Sequence, residues 1–126
     1  MKKILLITFF VIGGMGVSNA QEQTTPVWPG CENAEDQKAC FNQKLSEHVR
    51  NNYEYPMNDN NEYVRGKVTV SFDINEEGKV VVNSVEGPEP EVNQAAREML
   101  NKIPKMKPGT LQGEPDSRTF TVPFNF

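Results

Sequence analysis

In 126 residues the chain has one histidine, His48, and two cysteines, Cys31 and Cys40. That scarcity removes most catalytic chemistry at the outset. General acid and base work needs a histidine or paired carboxylates in a pocket, and covalent catalysis needs a serine or cysteine beside a base. The cysteines are not spaced as Cys-x-x-Cys, and a four-ligand zinc site cannot be assembled from them and His48 without carboxylates. No glycine-rich phosphate loop and no metal-ligand spacing occurs. The acids Asp73, Glu76 and Glu77 fall on a polar strand face or in a turn, where they serve solubility. The sequence therefore leads us to expect no catalytic residue, no metal and no cofactor. Positive charge is also short: 13 basic against 17 acidic residues give a net charge of −4. Without a basic stripe, nucleic acid and anionic membrane surfaces are excluded as partners.

Long apolar runs are absent except at the start. Lys2 and Lys3 precede an apolar stretch from Ile4 to Val17, followed by Ser18-Asn19-Ala20. This is the layout of an export signal at 1–20, cut between Ala20 and Gln21. The run of about 14 residues is short of the ~20 that span a bilayer, and Gly13, Gly14 and Gly16 weaken it as a helix. A retained membrane anchor is the alternative. After cleavage about 106 residues remain, enough for one small domain with a modest core, and the net charge moves to about −6 by loss of two lysines. In an oxidising compartment Cys31 and Cys40 pair by default. Such a bridge pins the segment before the first helix onto that helix, while a redox pair or a metal site are the functional alternatives.

Residues 21–35 read as an irregular arm, with Pro26, Pro29 and Gly30 as punctuation. Trp28 is its one large apolar group, expected to fold back on the core rather than to await a partner. From Asp36 to Asn52 the spacing is helical, with Phe41, Leu45, His48 and Val49 on one face. Tyr53, Tyr55 and Pro56 open a non-helical connection in which Pro56 forces Tyr55 towards an extended strap or short strand. The stretch "GKVTVSFDINEEGKVVV" then alternates Val68, Val70, Phe72 and Ile74 with polar residues, turns at "NEEGK" on Gly78, and returns along Lys79 to Val85. A bulge in the return strand would bring Val82 and Val85 to one face. Val92, Ala95, Ala96, Met99, Leu100 and Ile103 predict an amphipathic helix stopped by Pro104. The last strand, "SRTFTVPFNF", sets Phe120, Val122, Phe124 and Phe126 on one face. Pro123 marks it as an edge.

The "YP" at 55–56, "RGKVTVSFDINEEGKVVVNSVEG", the alanine-centred helix, "IPKMKPG" and the closing "FTVPFNF" together resemble the C-terminal domain of TonB-type energy transducers. The cysteine pair ahead of it is similar to Bacteroidetes forms. The likeness covers about 52–126, placing the domain with its front helix at 36–126. It implies an α+β, two-layer sandwich: a small antiparallel sheet, made of the hairpin and a C-terminal edge strand, packed by a helix, with an extra N-terminal helix. It also implies a periplasmic binding module that takes up an extended peptide of an outer-membrane TonB-dependent transporter, or of another envelope protein, by strand addition. Carried over by position, the partner-binding residues are Tyr55, Pro56, Arg118, Thr119, Phe120, Thr121 and Val122. If Pro123 faces outward, Thr119, Thr121 and Asn125 share its side and pairing runs mainly along 118–122; the same proline equally protects an edge from aggregation. A homodimer through that edge is a further expectation. An arm of about 15 residues reaches at most ~50 Å, too short to work as a transducer spacer, so a free periplasmic domain is expected. A minimal anchored transducer and an exported cystatin-like inhibitor are the competing readings.

Overall fold

The computed structural model describes residues 22–126. The expected signal segment 1–20 and its cleavage point lie outside the described residues. The first helix, α1 (Gln37–Asn52), begins where Asp36, in extended conformation, accepts the Ala39 N–H on its carboxylate at 3.0 Å. This satisfies one of the donors that a helix start leaves open. The helix ends where Tyr53 turns extended, its N–H still bonded to the Val49 carbonyl. The Cys31–Cys40 disulfide ties the preceding arm to α1, with Cys31 buried. Replacing both cysteines with alanine should cost about 2–3 kcal/mol, because a short unfolded loop regains its freedom. A urea midpoint unchanged from wild type would show that the clamp contributes nothing.

Three strands form the main sheet: β2 (Lys67–Ile74), β3 (Val80–Glu86) and β6 (Arg118–Asn125), in the order β3-β2-β6, antiparallel throughout. The alternation read from the sequence holds in β2, where Val68, Val70, Phe72 and Ile74 are buried. The turn into β3 is built by Asn75, whose side chain accepts the Glu77 and Lys79 N–H groups at 3.0 and 2.9 Å. Gly78 closes it at φ 85°. The register between β2 and β3 slips at Ser71/Phe72, which makes the expected bulge: Phe72 faces Val82 and Ser71 faces Ser84. Val82 and Val85 consequently both pack on the core.

The second helix, α2 (Pro90–Asn101), has Pro90 in its first turn and buries Val92, Ala95, Ala96, Met99 and Leu100 against β2 and β3. Ala96 is completely covered, so its methyl is what lets the helix approach the sheet. The helix stops two residues earlier than the sequence suggested. Lys102 and Ile103 turn back, their N–H groups reaching the Met99 and Leu100 carbonyls at 3.2 and 3.1 Å, yet Ile103 remains buried. On the same face α1 covers β6, with Phe41 stacked on Phe120 and Tyr53 on Phe126, ring centroids 5.0 and 3.7 Å apart. The helices meet at buried His48, whose Nε2 lies 2.9 Å from the Met99 carbonyl while Nδ1 faces the Asn52 amide at 3.1 Å. A carbonyl can only accept, so Nε2 carries the proton. The opposite sheet face is polar; there Asp73 accepts from Thr119 Oγ1 at 2.6 Å and from Asn83 at 2.8 Å. The domain is α+β in two layers, as the sequence indicated.

A second, miniature sheet was not foreseen. β1 (Gln23–Thr24) pairs with β4 (Thr110–Leu111), which pairs with β5 (Glu114–Pro115). The "LQGEP" stretch reads as a loop, but Gln112 and Gly113 both take positive φ, 53° and 84°, and make a tight two-residue hairpin turn. Val27 and Lys107 add a reciprocal backbone pair at 2.9 and 3.1 Å. The arm is thereby laid along 107–111, and Trp28 reaches the core, buried edge-on against Phe41.

Candidate functional site

The outer edge of β6 is the feature that organises the surface. In an antiparallel pair, backbone groups of alternate residues point to the same side. Phe126 donates its N–H to the Gly66 carbonyl at 3.0 Å, continuing the β2–β6 ladder past Asn125. Even-numbered residues of β6 therefore turn their backbone to β2, and odd-numbered ones turn it away. Asn75, at the far end of β2, bonds Lys79 on the β3 side, which fits the same alternation. Thr119, Thr121, Pro123 and Asn125 thus present their backbone outward, and among the described residues nothing pairs with it. Pro123 has no N–H to offer, so the row of donors is interrupted at that position.

Two hollows flank this edge, one at each end. At the start of β6, Arg118, Thr119 and Phe120 face Lys38, Phe41 and Asn42 of α1, and Thr25 and Pro26 of the arm close a cavity of 250 Å³. At its end, Phe124, Asn125 and Phe126 face Val49, Arg50 and Tyr53, with Tyr55 at the rim, around 330 Å³. Each is lined by a residue that also carries a buried donor without a partner: Arg118, with Nε, at the first, and Tyr53, with OH, at the second. Burial, and then the neighbouring Tyr55, push the Tyr53 hydroxyl above its usual range, so it keeps its proton. Tyr55 itself is half-exposed, edge-on to Tyr53 and Tyr63, with the Arg65 guanidinium 4.9 Å from its ring centre.

Of the residues singled out from the sequence, Arg118, Thr119, Phe120, Thr121 and Val122 occupy one continuous edge strand, with Phe120 and Val122 facing the helices. Tyr55 joins this edge at its far end. Pro56 does not: it lines a different groove of 560 Å³, between the strap and α2, with Glu54, Glu91 and Glu98. Tyr55 is not in a strand either, since the connection holds only the isolated bridge between Met57 and Tyr63. The wall contributed by α1 was overlooked. Lys38, Asn42, Val49 and Tyr53 recur at helical spacing beside the buried Phe41 and Leu45 stripe, and that periodicity was the signal for it. Among the described residues no helix is long and apolar enough to cross a membrane, and no cluster of three or more His, Cys, Asp or Glu could hold a metal.

A two-layer domain whose chief open feature is an unpaired strand edge between hollows is built as an interaction module. Residues 51–126 match the family of the Gram-negative bacterial TonB protein C-terminal domain, and the chain belongs to that family. The family's domain is a periplasmic interaction domain linked to transport rather than an enzyme. No curated protein and no solved structure matches the chain significantly.

Proposed function

We propose that the chain is a periplasmic module that grips an extended peptide of an outer-membrane TonB-dependent transporter, or of another envelope protein, as an added strand on β6. The observation that carries this is the outward, unpaired backbone of Thr119, Thr121 and Asn125 on a strand whose inner side is fully engaged with β2. Main-chain hydrogen bonds supply the affinity in such augmentation, and side chains on alternate faces supply selectivity. Pro123 removes one outward donor, so pairing is expected to run mainly along 118–122, with the added strand continuing past it towards Asn125. The domain works without its own chemistry, by presenting a template.

Amide NMR with synthetic peptides from the N-terminal segments of such transporters tests the reading. The Thr119 and Thr121 amides are expected to shift and to gain protection from hydrogen exchange on peptide addition. Changes centred on β3 or on the polar sheet face would place the partner elsewhere. A second copy of the chain can occupy the same edge, so a homodimer, where it forms, should be displaced by peptide. Location rests on the first twenty residues: a soluble envelope product beginning at Gln21 supports the free module, and a membrane-bound one retaining Met1 supports the anchored transducer.

A further inference from the structure

Lys38 and Arg50 lie on α1 above the open edge of β6 and outside the 51–126 family match, and the arm that helps close the first hollow lies outside it too. We infer that this disulfide-clamped front segment is a selectivity wall, which favours extended peptides carrying acidic side chains on the face turned towards α1. The inference rests on strand addition at β6 and adds the chemistry of the occupant.

Three observations bear on charge. The chain is acidic overall, at −4, yet no Asp or Glu side chain lines either hollow and cationic side chains line both: Lys38 and Arg118 in one, Arg50 in the other. Arg118 is partly offset by Asp116 at 3.5 Å, whereas Lys38 and Arg50 have no ion-pair partner among the described residues. Glu35 and Asp36 border a separate groove on the other side of Lys38. Arg118 and Tyr53, which line the two hollows, each also keep a buried donor without a partner, Nε and OH. A carboxylate on the incoming strand answers the exposed, unpaired Lys38 and Arg50, as a charge and as a pure acceptor.

Spacing follows from the strand. The hollows centre on Thr119 and Asn125, so at 3.2–3.4 Å per residue they lie roughly six positions apart, about 20 Å. Residues that far apart on an added strand have the same parity and point to the same face. The preferred occupant therefore carries two acidic side chains about six positions apart with two apolar residues of the same parity between them, over the stretch from Phe120 to Phe124.

A fluorescein-labelled nine-residue peptide makes the test, with threonine at odd positions, valine at the fourth and sixth, and glutamate at the second and eighth. Its partners replace both glutamates with glutamine or with lysine. Fluorescence anisotropy should show the glutamate peptide binding about five-fold tighter than the glutamine one at low salt, with the gap shrinking as salt is added. The exposed double substitution Lys38→Glu and Arg50→Glu should reverse the order so that the lysine peptide binds best. If wild type and the double variant rank the peptides alike, the selectivity wall is overturned while strand addition stands. If none of the peptides binds, strand addition falls and takes the inference with it.

Discussion

Thr121→Pro is expected to weaken peptide binding by about thirty-fold or more while leaving the domain folded. The backbone of Thr121 points away from β2, so the substitution takes no hydrogen bond from the β2–β6 ladder. What it removes is the donor midway along the usable edge, and it puts a ring in the path of the incoming strand. An unanswered carbonyl in the partner costs about 1–3 kcal/mol, and a lost net hydrogen bond adds to that. Edge strands tolerate proline when its nitrogen faces outward, as Pro123 already does two residues on. Val122→Pro makes the contrast. Its N–H points inward opposite Val70, so the same change should break the ladder at its centre and cost about 3 kcal/mol or more of stability. The pair is read by peptide titration and thermal unfolding together. Undiminished binding by Thr121→Pro would rule out β6 as the docking edge.

Gly78→Val should be the most damaging single change in the turn, lowering stability by about 3–5 kcal/mol. Two independent penalties meet there. Gly78 holds φ at 85°, a conformation that costs a branched residue of the order of 1–3 kcal/mol. A Cβ at this position would also fall 1.6 Å from the Met106 carbonyl oxygen, which is backbone and has little room to yield. The closeness is functional for the fold, since the Met106 N–H donates to the Gly78 carbonyl at 3.0 Å and so anchors the segment after α2 to the hairpin tip. Forcing them apart should disturb Met106 and Lys107, and through the Val27–Lys107 pair loosen the arm. Guanidinium titration, with Trp28 fluorescence as the reporter, measures this. A loss below 1 kcal/mol would show that the turn can relax without cost.

What the sequence made legible is what is periodic. The alternation in β2 and β6, the alanine-centred α2 and the glycine of the hairpin all carry local signals strong enough to survive packing. Even the β3 bulge was readable, because Val82 and Val85 cannot share a face without it. The miniature sheet was not, since two-residue strands have no period and Gln112 gives no hint that it will adopt positive φ. Nor could the site be completed from β6 alone. The strand residues came from likeness to a family, whereas Lys38, Asn42, Val49 and Arg50 reach the edge only because Phe41 and Tyr53 stack on Phe120 and Phe126. Those are long-range aromatic contacts, which no window of the sequence reveals. Pro56 shows the converse: its neighbour Tyr55 lines both the hollow at the end of β6 and the groove beside α2, whereas Pro56 lines only the groove.

The bulge in β3 bears on how many partners one molecule can hold. A sheet of three strands has two rims, and two equivalent rims would let copies join end on end without limit. Where β3 carries its extra residue, hydrogen-bond spacing along the outer rim is broken and the strand bends, which makes it a poor template. Of this sheet's two rims, the one on β6 keeps an even register along its whole length. Strand addition confined to β6, as proposed, makes the domain monovalent: the expected complex is a closed pair with one added strand, not a growing fibre.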